Sequence, residues 1–148
     1  MVDHPKAPIE HTLWIDADPS VVFDYFTDAE KLVQWMGDSA VLSPSPGGEY
    51  RVTFKEGWVS RGKFLTVDRP HRLVYTVGWE GHQQFPAGST RVELEFTPHN
   101  GGTTVRLRHF GPPSKGLEAD GWLMYLRRLA AVAEEKAPPP NPFDQLVR

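Results

Sequence analysis

The chain contains no cysteine, which removes disulfides, thiolate catalysis and cysteine-ligated zinc from consideration. It also has no apolar run near the ~20 residues that a membrane-spanning helix requires. The opening residues, MVDHPKAPIE, hold no apolar signal core, so a cytoplasmic protein with no membrane partner is expected. Basic runs are missing as well: 16 Lys and Arg stand against 19 Asp and Glu, for a net charge of -3 and a pI near 6.0. No nucleic-acid partner is expected from that balance. The common catalytic signatures are absent too. There is no G-x-S-x-G, and His4, His11, His71, His82, His99 and His109 are scattered, with no H-E-x-x-H or H-x-x-x-H spacing. Gly47-Gly48 and Gly101-Gly102 read as hairpin turns and not phosphate loops, because no helix follows either pair. Neither a metal nor a cofactor is expected, and there is no internal repeat.

What remains is a chain of 148 residues, 39% hydrophobic and 11% aromatic, a length that suits one domain with a real core. Its most informative stretch is Asp18 to Gly37, DPSVVFDYFTDAEKLVQWMG. Asp18 followed by Pro19 is a helix start, with the aspartate as N-cap and proline in the first turn. Thr27 and Glu30 have capping-box spacing for a second short helix, and Gly37 offers a left-handed stop after Trp35 and Met36. Val22, Phe23 and Phe26, then Leu32, Trp35 and Met36, form apolar stripes at helical spacing.

Either side of this pair the period is two. His11 to Asp16 alternates ahead of it, and a weak strand is expected at Ala40 to Leu42. Tyr50, Val52 and Phe54 share one face of the next strand. A strand from Trp58 to about Val67 follows the Glu56-Gly57 turn. Leu73, Tyr75, Val77 and Trp79 then share a face, as do Val92, Leu94 and Phe96. Asn100-Gly101-Gly102 marks a hairpin into a strand with Val105, Leu107 and His109 inward. The opposite faces carry Arg51, Arg61, Lys63, Arg91, Arg106 and Arg108 with Glu93 and Glu95, which reads as a cross-strand charge lattice. One apolar face and one charged face describe an antiparallel sheet covered on one side. The cover is a long amphipathic helix from about Leu117 to Lys136, with Trp122, Leu126, Leu129 and Ala133 on its apolar side. Residues 1–8 are expected to be an extension, 9–136 the domain, and 137–148 a Pro-rich tail in which Phe143 and Leu146 are free to dock.

The order β-α-α-β6-α and several local phrases resemble the helix-grip fold of the START and birch-pollen-allergen (SRPBCC) superfamily. Within it the chain is most similar to the family of the activator of heat-shock protein 90 ATPase. The resemblance is carried by Asp18-Pro19 before Val22-Phe23, by Leu32 with Trp35, and by Gly47-Gly48-Glu49-Tyr50-Arg51. It continues through Gly62, Val67-Asp68-Arg69-Pro70-His71-Arg72, Gly101-Gly102-Thr103, His109 with Gly111, and Gly121-Trp122. It implies an α+β domain in which a curved antiparallel sheet of about seven strands grips the last helix. It also implies an elongated apolar cavity between them for a lipid, polyketide or other small hydrophobic molecule. A chaperone-activating role belongs to larger relatives with a further domain, for which this chain leaves no length.

Against that background the candidate ligand-binding residues are Trp35, Met36, Tyr50, Phe54, Gly62 and Phe64. Tyr75, Trp79, Phe96, His109, Trp122, Tyr125 and Leu126 complete the set. Each aromatic fits core filling as readily as a cavity wall, while Gly62 either leaves inward space or is a packing glycine. His109, inward with Val105 and Leu107, is the best single polar candidate and a weak candidate for acid/base work; the alternative is a histidine satisfied by its neighbours. The expected partner is a small hydrophobic ligand. A cyclase- or dehydratase-type enzyme, a chaperone-related interaction module and a homodimer remain open alternatives. The loop Glu80 to Ser89 is either a gate over the cavity or an exposed connection with Phe85 tucked against the sheet edge.

Overall fold

In the computed structural model, which describes residues 7–113 and 115–140, a first strand β1 (Ile9–Ile15) leads into helices α1 (Pro19–Thr27) and α2 (Ala29–Leu32). Six strands follow: β2 (Ser39–Leu42), β3 (Glu49–Thr53), β4 (Val59–Asp68), β5 (Arg72–Val77), β6 (Thr90–His99) and β7 (Gly102–Phe110). The chain then closes with α3 (Leu117–Ala133). The strands form one seven-stranded antiparallel sheet in the order β1-β7-β6-β5-β4-β3-β2. This is the helix-grip architecture expected from the sequence. Residues 1–6 of the expected extension and the Phe143 and Leu146 of the expected tail lie outside the described residues.

The two short helices start differently from the capping pattern in the sequence. Asp18 occupies the N-cap of α1, but its side chain makes no cap hydrogen bond; Pro19 at the first turn and the Asp18 carbonyl, which accepts from Val22 N at 3.0 Å, carry the start. In α2 the cap is Asp28, not Thr27. Asp28 Oδ1 accepts from Glu30 N at 2.9 Å and Lys31 N at 3.2 Å, while Thr27 Oγ1 turns back to donate to the Phe23 carbonyl. Direct succession of the helices makes Thr27 the last residue of α1, so its hydroxyl bonds one turn back. Gly37, at φ +78°, provides the left-handed stop that turns the chain into β2.

Inward faces alternate as the pattern requires. Tyr50, Val52, Phe64, Leu73, Tyr75, Val92, Leu94, Phe96, Val105 and Leu107 are buried. α1 covers one part of them: Phe26 meets Phe96 and Trp35 edge-on at 5.6 and 4.9 Å, and Phe23 meets Phe96 at 5.3 Å. α3 covers the rest through Trp122, Tyr125, Leu126, Leu129 and Ala133. Each large apolar side chain fully buried this way contributes roughly 1.5–3 kcal/mol before entropy is counted. The helix stops at Ala133, short of the Lys136 expected, because Glu135 turns left-handed (φ +61°) and Lys136 N donates back to the Ala131 carbonyl.

Arg128 of α3 reaches across to the residues that follow α2. Its guanidinium donates to the carbonyls of Trp35 and Gln34, and to Pro139 in the tail. The convex face carries the charge lattice, with Arg91, Arg108 and Arg72 around Glu93 and Arg106 on Glu10. Such exposed pairs contribute about 0–1 kcal/mol each.

Two glycines let backbones approach. A Cβ on Gly62 of β4 would lie 1.8 Å from the Thr76 carbonyl oxygen of β5, and one on Gly78 would lie 1.8 Å from the Pro86 carbonyl oxygen. Of the two readings of Gly62 the close approach favours the packing glycine, since the backbone of β5 occupies the space a side chain would take. Because Asp28 accepts two α2 amides and Asp18 none, Asp28→Ala should cost about 1 kcal/mol and Asp18→Ala clearly less. Urea unfolding of both variants checks this, and equal losses would contradict the assignment of the caps.

Candidate functional site

α3 packs against α1 and β1, and its first turn is tied to β1, where His11 Nε2 lies 2.9 Å from the Ala119 carbonyl; toward β3, β4 and β5 its N-terminal half does not fill the space over the sheet. There a cavity of ≈ 680 Å³ opens between helix and sheet, within the usual range for small-molecule sites. The helix contributes Glu118, Gly121, Trp122 and Tyr125; β3, β4 and the turn between them contribute Tyr50, Phe54, Trp58 and Ser60. β5 and the residues after it add Tyr75, Val77, Gly78 and Trp79, while Thr90 of β6, His109 of β7 and Met36 close the remaining sides. Pro112, Pro113 and Lys115, with His82 and Phe85 from the 80–89 loop, lie around the opening.

Of the sequence-predicted set, the structure brings together Met36, Tyr50, Phe54, Tyr75, Trp79, His109, Trp122 and Tyr125 around this space. It places Trp35, Phe64, Phe96 and Leu126 in the solid core, and Gly62 against the backbone of β5. Alternation does not distinguish a core position from a cavity position, since both face inward. The lining residues outside the sequence-predicted set are Trp58, Ser60, Val77, Thr90, Glu118 and Gly121, together with those from the loops. Ser60 and Thr90 were legible in principle, as polar residues at inward positions of otherwise apolar strands.

The floor is aromatic. Tyr50 and Tyr75 stack at 4.3 Å with an interplanar angle of 15°, and Phe64 meets both edge-on. Burial pushes the Tyr50 phenol up to about 12, and burial, with Tyr50 beside it, holds the Tyr75 phenol well above its ordinary value. Both stay neutral, and Tyr50 turns its hydroxyl to Met36 Sδ at 3.9 Å. Toward the opening, Phe54 and Trp58 both contact the Trp79 ring, the latter at right angles. Trp58 is 46% exposed. Burial raises the Glu118 carboxyl, offset in part by His82.

His109 is held in a relay that spans one wall. Trp122 Nε1–H donates to His109 Nδ1 at 2.9 Å, and His109 Nε2 lies 2.8 Å from Thr90 Oγ1. Thr90 Oγ1 donates its own proton to the Val77 carbonyl at 2.6 Å. The indole N–H is donor only, so Nδ1 must accept and Nε2 must carry the proton. Thr90 then accepts from Nε2–H, and every link is satisfied by one neutral tautomer. Burial lowers the imidazole pKa to about 4. With both nitrogens engaged and the ring neutral near pH 7, the geometry gives His109 a positioning role in the wall rather than a free acid or base.

The 80–89 loop folds back against the sheet. His82 Nδ1 accepts from the amides of Gln84 and Phe85, the two rings stack, and Trp79 N donates to the Phe85 carbonyl. Phe85 borders the cavity and lies beside the strand at once. No described helix is long and apolar enough to cross a membrane.

A curved sheet, a single gripping helix and an apolar space between them define a helix-grip domain with an internal cavity. Residues 16–134 match the family described as Activator of Hsp90 ATPase homolog 1-like protein, and the chain belongs to that family. It is 38% identical to an AHSA1-like protein from Rhizobium etli, over 95% of this chain and 92% of that one, with a TM-score of 0.70. The fold is also shared with DynU16, a putative protein in the dynemicin biosynthetic locus. That match has 22% identity and a TM-score of 0.76, covering 93% of this chain and 51% of that one. An Hsp90 activator from Plasmodium falciparum is similar at 24% identity and a TM-score of 0.59, over 74% of this chain and 76% of that one. No curated protein matches significantly.

The relay makes stability depend on pH in a defined direction. The folded state holds His109 below its unfolded value of about 6.5, so the unfolded chain takes up a proton that the folded one refuses. The contribution is complete above pH 6.5 and is lost as pH falls toward about 4, to an upper bound of roughly 3 kcal/mol. Urea unfolding at pH 7 and pH 4.5 should show a smaller acid loss in His109→Gln, whose amide can bond both neighbours. Identical pH slopes would count against the relay.

Proposed function

We propose that this protein binds a small hydrophobic molecule, lipid- or polyketide-like, in the cavity under the N-terminal half of α3. The observation that carries this reading is the ≈ 680 Å³ space floored by buried Tyr50 and Tyr75. A packed interior leaves few voids larger than a water molecule, so a space of this size and apolar character suits a bound molecule. Affinity would come mainly from apolar burial. DynU16, with the same fold, lies in a biosynthetic locus, which agrees with a polyketide-like ligand class. A cyclase or dehydratase reaction on the same scaffold finds less support, because His109, the one buried histidine among the described residues, already spends both nitrogens.

A second reading has its own observation. Membership of the Hsp90-activator-like family, and the fold shared with an Hsp90 activator, favour a chaperone-related interaction module working from the convex face. The fold is also that of an Aha1 dimer from Colwellia psychrerythraea, so a homodimer is part of this reading. The protein would act in the cytoplasm under either reading.

Val77→Phe, which adds bulk to a lining position without touching the relay side chains, separates the two. It should weaken binding of 1-anilinonaphthalene-8-sulfonate at least tenfold while far-UV circular dichroism and cooperative unfolding stay as in the parent. Native mass spectrometry of protein purified from its own host should show a co-purified small molecule in the parent, reduced in Val77→Phe. An unchanged affinity in the folded variant, with no adduct in the parent, would move the weight to the interaction module.

A further inference from the structure

Among the described residues Ser60, Thr90, Thr103 and His109 are the buried polar side chains, and three of them are satisfied. Thr103 donates to the Ala17 carbonyl at 2.7 Å, and Thr90 and His109 belong to the relay. Ser60 is the fourth. It is 8% exposed, it lines the cavity, and its hydroxyl has no hydrogen-bond partner among the described residues.

Its position explains why none is available. Ser60 lies opposite Val52 on β3, an inward pair, and bridges to Trp79 on the other side. The neighbouring backbone groups are already paired: Arg61 N with the Gly78 carbonyl, and Glu80 N with the Val59 carbonyl. The relay ends at the Val77 carbonyl with all its donors used. Ser60 thus faces the cavity with a donor and an acceptor that only the cavity's contents, water or ligand, can satisfy.

We propose that Ser60 Oγ is the anchor for a hydroxyl or carbonyl oxygen on an otherwise apolar, ring-bearing ligand, and so fixes which way that ligand lies. This rests on the reading that the cavity holds a hydrophobic molecule. The walls next to Ser60 favour flat rings, since Phe54 and Trp79 present aromatic surface. The ligand class is therefore an oxygenated aromatic or polycyclic molecule, with its oxygen at the β4 wall and its hydrocarbon body over the tyrosine floor.

The test compares 2-naphthol with 2-methylnaphthalene, which share shape and differ in one hydroxyl, by equilibrium dialysis against the full chain. Ser60→Ala should weaken 2-naphthol about fivefold to tenfold, the scale of one neutral hydrogen bond, and change 2-methylnaphthalene less than twofold. Ser60→Thr, which keeps the hydroxyl, should retain most of the 2-naphthol affinity. The ligand-free Ser60→Ala protein should unfold at the same temperature as the parent or higher, because no protein hydrogen bond is lost. Equal effects on both probes, or none on either, overturn the anchor, as does a clear drop in unfolding temperature. Failure of both probes to bind the parent protein overturns the cavity reading itself, a distinct result.

Discussion

One helix has to bury the apolar face of seven strands. α3 cannot lie flush along the whole concave surface, and the fold resolves this unevenly. Its C-terminal half packs Leu126, Leu129 and Ala133 into the core beside α1 and β1, where Tyr25 OH reaches the Val132 carbonyl and Glu134 accepts from the Asp16 amide. Its N-terminal half is tied to β1 and β7, through His11 on the Ala119 carbonyl and Trp122 on His109. The cavity is the space left over β3, β4 and β5, while α1 covers Phe96 and Trp35.

Most of the architecture could be read from residues whose preferences are local. Alternation along the strands, Asn100 and Gly101 at positive φ in the β6–β7 hairpin, and the stripe on α3 all correspond to what was built. Caps were harder to read, because Thr27 and Asp28 are adjacent and either can serve; chain direction at the α1–α2 junction decides between them. The site was half legible. Inward aromatics such as Tyr50 and Phe64 look alike in a period-two pattern, yet one borders the cavity and the other lies in the core. That distinction depends on where α3 leaves space over the sheet, a property of the assembled layers. Gly62 shows the same limit, since only the spacing of β4 and β5 says what an inward glycine accommodates.

The chemistry of the site follows from how its few polar groups are disposed. A histidine facing an apolar space invites a catalytic interpretation, but hydrogen-bond directionality assigns His109 to the wall, with Trp122 on one side and Thr90 on the other. The tyrosines, neutral and stacked, behave as aromatic surface more than as acids. Family membership and shared fold set the frame, and what distinguishes this protein lies in the side chains inside that frame. The convex face forms a separate layer whose arginines are largely matched by glutamates.

Gly62 and Gly78 carry a consequence for descent. Each has a carbonyl oxygen where a side chain would begin, so inheritance at these two positions is nearly closed. A side chain at either place would have to part β4 from β5, or the 80–89 loop from the end of β5, so the wall of the cavity is pinned at these two points.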